Sequence, residues 1–310
     1  MRLILLLNMG GPNDLSEVEV FLKNMFNDPC ILGIKSQLLR KFVAFAITKS
    51  RLKTAQNNYR QIGGKSPICE LTARLCGKIS HFLEDDETAA FAMNYTPPFT
   101  KDVLAEFAQA SEIVVFPLYP HHSITTVTSS LNDFNKACRE LNLQAKIKIV
   151  EPFFADDRYN EIIADCIEKS ARNLNTDDIT LVFSAHSLPQ KIIDAGDVYE
   201  EHVTRHVQIL TEILEKRGVK FKQTMLAYQS RLGPVKWLEP SLNQVLAELK
   251  DKKALIYPIS FCIDNSETVF ELSKEFKHIA DELKFDFYDV VACPNDDDKF
   301  AKFIADKARE

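Results

Sequence analysis

Short apolar runs recur along this chain, and the segments between them carry apolar residues at helical spacing. The runs fall at residues 3–7, 89–93, 113–116 and 147–150, and then again at 179–183, 223–226, 255–259 and 285–291. Runs of this length bounded by helical segments are the sequence form of β-α-β units around a buried parallel sheet. Residues 157–173, 199–217, 240–250 and 267–283 place apolar side chains three and four apart, and several of these segments open on acidic or proline residues suited to a first helical turn. The pattern predicts an α/β protein of two doubly wound, Rossmann-like halves, residues 1–152 and 153–310. Each half should hold a four-stranded parallel sheet flanked by helices. No low-complexity linker marks the junction, so a substantial interface with an active-site cleft between the halves is expected.

Residues 29–51 break this rhythm. Ile31, Leu32, Ile34, Leu38, Leu39, Phe42, Val43, Phe45 and Ile47 alternate there with Lys35, Arg40, Lys41, Lys49 and Arg51. Two readings compete: a helix packed on the core, or an apolar lip that receives a flat hydrophobic ligand or touches a membrane surface.

Composition narrows the function classes. A chain of 310 residues exceeds the size at which a single core usually stops growing, which fits two halves. The net charge of -6 provides no general attraction for nucleic acid, which is not expected as a partner. The apolar run at 3–7 ends in the turn Gly10-Gly11-Pro12 without a cleavage signal, so it reads as a strand rather than a signal peptide. No stretch approaches the roughly 20 apolar residues that span a bilayer, and a cytoplasmic protein is expected. Seven scattered cysteines without a C-x-x-C pair predict reduced thiols and signal neither a disulfide framework nor a zinc or iron–sulfur centre.

In open parallel sheets, ligands bind beyond the carboxyl ends of the strands. The segments that follow the first, third, fifth and seventh strands are NMGGP (8–12), PLYPHHS (117–123), SAHSLP (184–189) and FCIDNSET (261–268). Imidazole, hydroxyl and carboxylate groups are therefore gathered on one edge. Gly10-Gly11-Pro12 lacks the glycine spacing of a dinucleotide site. Gly63-Gly64-Lys65-Ser66 has Tyr59 where a P-loop needs its first glycine, and no G-x-S-x-G elbow occurs. His186, flanked by small residues at a strand end, can act as a base or a metal ligand because neutral imidazole is well populated near pH 7. Glu267, Glu271 and Glu275 recur at intervals of four, beside Asp264. Like charges at that spacing repel, and a cation would relieve the repulsion. His186 and Glu267 are too few for a structural zinc site. Two ligands suit a metal in transit whose acceptor supplies the other donors, and a porphyrin supplies four nitrogens.

Six ordered segments carry a family resemblance: NMGGP (8–12), YRQIGGKSP (59–67), PLYPHHS (117–123), FSAHSLP (183–189), YQSRLGPVKWLEP (228–240) and PISFCIDNSETVFEL (258–272). With these the chain resembles the ferrochelatases. The resemblance implies two chelatase-type halves and a lyase that inserts Fe(II) into protoporphyrin IX, or a closely related porphyrin, in haem biosynthesis. It implies no organic cofactor, and Fe(II) as the substrate metal. It places His186 and Glu267 as catalytic residues and metal ligands, Glu271 and Glu275 with Asp264 on a path for the metal, and Met9, Ser66, Tyr119 and Trp237 against the porphyrin. Peripheral membrane contact and a monomer are further expectations. Asn265 stands where many members have histidine, and the stretch 93–98 lacks the family's arginine, so no propionate-binding residue is assigned there. The sequence stops at Glu310 without a cysteine-bearing extension, so no iron–sulfur cluster is expected. Two alternatives stay open: a haem- or metal-binding carrier without turnover, and a cobalt chelatase acting on another tetrapyrrole.

Overall fold

The computed structural model of the chain describes residues 1–231 and 233–310. It divides into two compact units, one of residues 1–119, 123–151 and 296–310, the other of residues 120–122 and 152–295. The first unit holds strands β1 (Arg2–Asn8), β2 (Glu87–Met93), β3 (Glu112–Pro117) and β4 (Lys146–Ile149), in the order β2-β1-β3-β4 and all parallel. The second holds β5 (Thr180–His186), β6 (Gln223–Gln229), β7 (Lys253–Tyr257) and β8 (Phe287–Val290), again parallel, in the order β6-β5-β7-β8. All eight expected strands form, four to each sheet.

Central strands are buried on both faces, which is why they read as apolar runs without alternation. In β1, Leu3, Leu5 and Leu7 pack with Leu104, Val115 and Phe134, while Ile4 and Leu6 on the other face are equally shielded. In the second unit Val182, Ala227 and Ile256 pack under Leu246, Leu272 and Phe276. Removing a leucine-sized side chain from water stabilises by about 1.5–3 kcal/mol, so these rows hold the sheets to their helices.

The last helix corrects the expected domain limits. The sequence reading assigns 153–310 to the second half, whereas Asp298–Arg309 packs in the first unit. Phe300, Phe303 and Ile304 are buried there, and the Phe303 ring meets Phe116 edge-on at 6.4 Å. Arg309 donates to the Glu87 carboxylate at 2.6 Å and to the Phe82 carbonyl at 2.9 Å, and Arg2 reaches the same glutamate at 3.2 Å. An amphipathic helix after the final strand can cover either sheet. These long-range partners decide, and sequence order carries no record of them.

Residues 29–51 divide between a side packed on the core and a side left open. The helix Gln37–Arg60 buries Ala44 and Tyr59 against Val18, Leu22 and Phe26 of the helix Val18–Phe26. Its other side leaves Leu38, Phe42 and Phe45 in the open, 82%, 70% and 62% exposed. No helix among the described residues is long and apolar enough to cross a membrane.

The two kinds of apolar residue should respond differently to substitution. Phe303→Ala is expected to cost about 3–5 kcal/mol, whereas Phe42→Ser should change stability by no more than about 0.5 kcal/mol. Urea unfolding of the two variants beside the parent chain measures both.

Candidate active site

The second sheet brings the predicted pair together. His186 is the last residue of β5, in register with Gln229 at the end of β6. Its backbone is held from both sides: its N–H donates to Ser260 Oγ at 3.1 Å, and its carbonyl accepts from the Tyr199 hydroxyl at 2.9 Å. Tyr199 and Ser260 are themselves linked at 2.6 Å. The following loop is sewn to the segment after β6 by Ser187 N–H to the Gln229 carbonyl (2.8 Å), Leu238 N–H to the Leu188 carbonyl (3.0 Å) and Gln190 N–H to the Lys236 carbonyl (2.8 Å). Main-chain pinning leaves the imidazole itself one-third exposed.

Glu267 approaches from the segment after β7. Its carboxylate Oε2 lies 3.7 Å from His186 Nε2. Zinc takes nitrogen and carboxylate oxygen at about 2.1 Å each, so donors up to about 4.2 Å apart can share one ion. The pair is therefore spaced to hold one small cation without rearrangement. Asn265 offers no second imidazole and shapes the turn: its side-chain oxygen accepts the Glu267 N–H at 2.8 Å, and its own N–H donates to Thr268 Oγ at 3.0 Å.

The glutamates do not sit on the plain α-helix that their periodicity suggests. Glu267–Phe276 is π-helical, and an α-helix resumes over Lys277–Glu282. The Ser273 hydroxyl donates five residues back, to the Thr268 carbonyl, at 2.7 Å. Such wider turns are uncommon and cluster at functional sites. Glu271 receives the Ser230 N–H on Oε1 at 2.7 Å and the Ser230 hydroxyl on Oε2. Burial, joined by the Glu267 charge, pushes the Glu271 carboxyl up to about 7. Glu275 is exposed on the same segment. Asp264 turns elsewhere: its carboxylate accepts from Asn295 Nδ2 at 2.6 Å and from the Cys293 N–H at 3.4 Å. Among the described residues no three histidine, cysteine or acidic side chains come close enough to enclose a metal.

The first unit gathers the expected ring-contacting residues at its own strand ends. Met9 follows β1, with its N–H on the Asn8 side chain at 2.8 Å and its carbonyl on the Tyr95 N–H at 3.0 Å. Gly11 lies so close to Ser66 that a β-carbon there would stand 2.6 Å from the serine, and Ser66 N–H donates to the Pro12 carbonyl at 2.8 Å. Tyr119 is buried and shares a hydrogen bond with Ser130 at 3.0 Å. In the second unit, Trp237 pairs with Pro189 in a short bridge, and its indole N–H is buried without a hydrogen-bond partner among the described residues.

Residues 3–310 match the ferrochelatase family model. Ferrochelatases of Campylobacter concisus (strain 13826) and Campylobacter fetus subsp. fetus (strain 82-40) are similar throughout. They are 61% identical over 308 residues, covering 99% of this chain and 97% of the relative, and 54% identical over 310 residues, covering 100% and 99%. The chain belongs to the ferrochelatase family. Among solved structures, SirB from Bacillus subtilis with Fe3+ superposes with a TM-score of 0.57 at 13% identity, covering 100% of this chain and 94% of that one. CbiX, the terminal enzyme of sirohaem biosynthesis in denitrifying bacteria, gives 0.53 at 13% identity, covering 99% and 97%. At that identity the likeness is one of fold, and it confirms the chelatase-type architecture. Family membership makes the protein a metal-chelatase lyase with Fe(II) as its substrate.

Sequence reasoning passes over several residues that the site uses. Tyr199 is a common polar residue outside the motif segments, whereas Ser230 and Ser260 lie within the segments 228–240 and 258–272 that carry the resemblance and have no signal that singles them out there. Ser230 also follows β6, whose end lies beside that of β5.

A second polar cluster in the same unit joins His121, from the segment PLYPHHS, to two residues outside the motif segments, His206 and Asn160. His121 and His206 are buried, with His121 Nε2 at 2.9 Å from His206 Nδ1, and His206 Nε2 at 2.7 Å from Asn160 Oδ1. Asn160 spends its amide hydrogen on the Phe154 carbonyl at 2.9 Å, so its oxygen faces His206, which must carry its proton on Nε2. A neutral His206 then accepts on Nδ1, and His121 donates from Nε2. Burial drives His206 down to about 3 and His121 well below its usual value, the latter helped by its neighbour. In the unfolded chain both take up protons near pH 6.5, so the folded state has its full stability above that value and loses it as pH falls toward about 3. The expected slope is about 1.4 kcal/mol per pH unit for each such histidine. A series of thermal melts from pH 7.5 to 4.5 should show the decline, and His206→Phe should make it shallower by the share of one histidine.

Proposed function

We propose that this chain inserts Fe(II) into protoporphyrin IX, releasing two protons and giving haem, with His186 and Glu267 as the pair that handles metal and protons. The observation that carries the reading is the 3.7 Å separation of His186 Nε2, at the end of β5, and Glu267 Oε2, at the start of the π-helical segment that follows β7. Metallation removes two N–H protons from the ring while a divalent ion enters along its normal. One imidazole and one carboxylate leave the ion's remaining positions to the ring nitrogens. The cation is held loosely enough to be given up, and the bases stand where the protons appear. His186 accepts protons or holds the incoming ion, and Glu267 escorts it. A ring bent out of plane exposes its lone pairs, so binding energy spent on that shape lowers the barrier. Met9, Ser66, Tyr119 and Trp237 lie in segments that match those the family uses to line its porphyrin pocket. Glu271 and Glu275 continue the acidic row of the π-helical segment, whereas the Asn295 contacts of Asp264 argue for a structural part in holding the 293–295 loop.

Since a general base contributes about 10²–10⁴-fold, His186→Ala should keep the parent melting temperature and lose activity by that factor. Anaerobic incubation of catalytic amounts of protein with Fe(II) and protoporphyrin reads both this and turnover. One metalloporphyrin per chain and no more would favour a carrier. Near-parent rates in the variant would remove His186 from the reaction.

The exposed row Leu38, Phe42 and Phe45, with Lys35, Lys41 and Lys49 on the same segment, supports contact with a lipid surface that delivers or accepts the apolar ring. Co-sedimentation with phosphatidylglycerol vesicles should be strong for the parent and lost in a Leu38→Ser, Phe42→Ser, Phe45→Ser triple variant. Equal sedimentation would exclude this role.

A further inference from the structure

We propose that Ser230 is a positioning residue for the metal site: it anchors Glu271 and so leaves Glu267 as the carboxylate that faces the cation. The inference rests on the assignment of His186 and Glu267 above and adds a residue to which no role has been given.

Glu267 and Glu271 lie one turn apart, and among the described residues neither is paired with a lysine or arginine. When both are ionised, two neighbouring carboxylates on one helical segment repel, and each would drift toward whatever donor or cation it can find. Ser230 supplies the asymmetry that separates them. At φ +64° it leaves β6 in the left-handed region, where a serine is unusual. From there its N–H donates to Glu271 Oε1 at 2.7 Å and its hydroxyl to Glu271 Oε2, so both oxygens of one carboxylate are taken by a single residue. The same hydroxyl oxygen is 3.2 Å from Glu267 Oε2, the atom that stands 3.7 Å from His186 Nε2. A hydroxyl carries one proton. While that proton serves Glu271, the serine oxygen offers Glu267 only lone pairs, and the charge on Glu267 is left for an incoming ion beside His186. Should Glu267 swing away from the imidazole, the hydroxyl can turn and hold it, which limits how far it moves. Outer partners that orient ligating carboxylates commonly change metal affinity by about 10–100-fold.

Ser230→Gly isolates this role, because glycine tolerates the left-handed conformation and retains the N–H while deleting the hydroxyl. Steady-state zinc insertion should show the KM for zinc rising by about 10- to 100-fold, with the KM for porphyrin and the melting temperature kept. Ser230→Thr restores the hydroxyl and should return the zinc KM to near the parent value, even though a β-branched residue at that φ lowers the melting temperature. Glu267→Gln is the control for the site itself. If Glu267→Gln abolishes insertion and Ser230→Gly keeps the parent zinc KM, the Ser230 inference falls alone. If both variants behave as the parent, the site assignment falls and takes this inference with it. A Ser230→Gly variant that loses stability and porphyrin affinity together with zinc affinity would mark Ser230 as a structural residue and overturn the positioning role.

Discussion

The arrangement depends on the parallel ladder that joins β5 to β6 and β7. Parallel pairing aligns carboxyl ends, and the register of His186 with Gln229 and of Phe183 with Tyr257 brings three strand ends to one edge. From that edge extend the imidazole of His186, the hydroxyls of Ser230 and Ser260, and the turn that carries Glu267. A slip of one residue in either pairing would send His186 to the opposite face of the sheet. The buried rows of Val182, Ala227 and Ile256 are what forbid the slip, because their side chains have no other place out of water. The core thus fixes the chemistry through the register.

Onto this rigid edge the chain adds one irregular element. The segment Glu267–Phe276 abandons α-helical hydrogen bonding for the wider π form over ten residues. The Asn265 side chain caps its first turn, the Ser273 hydroxyl takes a carbonyl within it, and Leu272 and Phe276 seal its inner face in the core. These contacts together hold carboxylates of like charge beside one imidazole. Such an arrangement costs stability unless a cation is present to neutralise it, and it is therefore suited to taking an ion up and passing it on.

The two faces of the helix Gln37–Arg60 show the same division between what packs and what is left open. Ala44 and Tyr59 close the local core with Val18 and Phe26, which fixes the helix. With the helix fixed, Leu38, Phe42 and Phe45 cannot retreat from solvent. A contiguous apolar row of this kind calls for an apolar partner.

The sequence by itself determined the eight strands, because strands buried on both faces must be apolar throughout, and from their spacing it determined the helical segments 157–173, 199–217, 240–250 and 267–283, though not the π form of the last. It also singled out His186 and Glu267, since the chemistry of parallel sheets collects at strand ends and these residues follow the fifth and seventh runs. Tertiary structure alone decided the rest. Asp298–Arg309 joins the first unit through Phe116 and Glu87, more than 180 residues away in the chain, a choice that no local pattern records. Ser230 acquires its contacts only when β6 lies beside β5 and its backbone turns left-handed, for the motif 228–240 marks the segment and not which carboxylate its serine meets. The separation of the glutamates into an anchored Glu271 and a Glu267 beside His186 arises in the same way, because identical side chains differ only in the donors that folding brings to them.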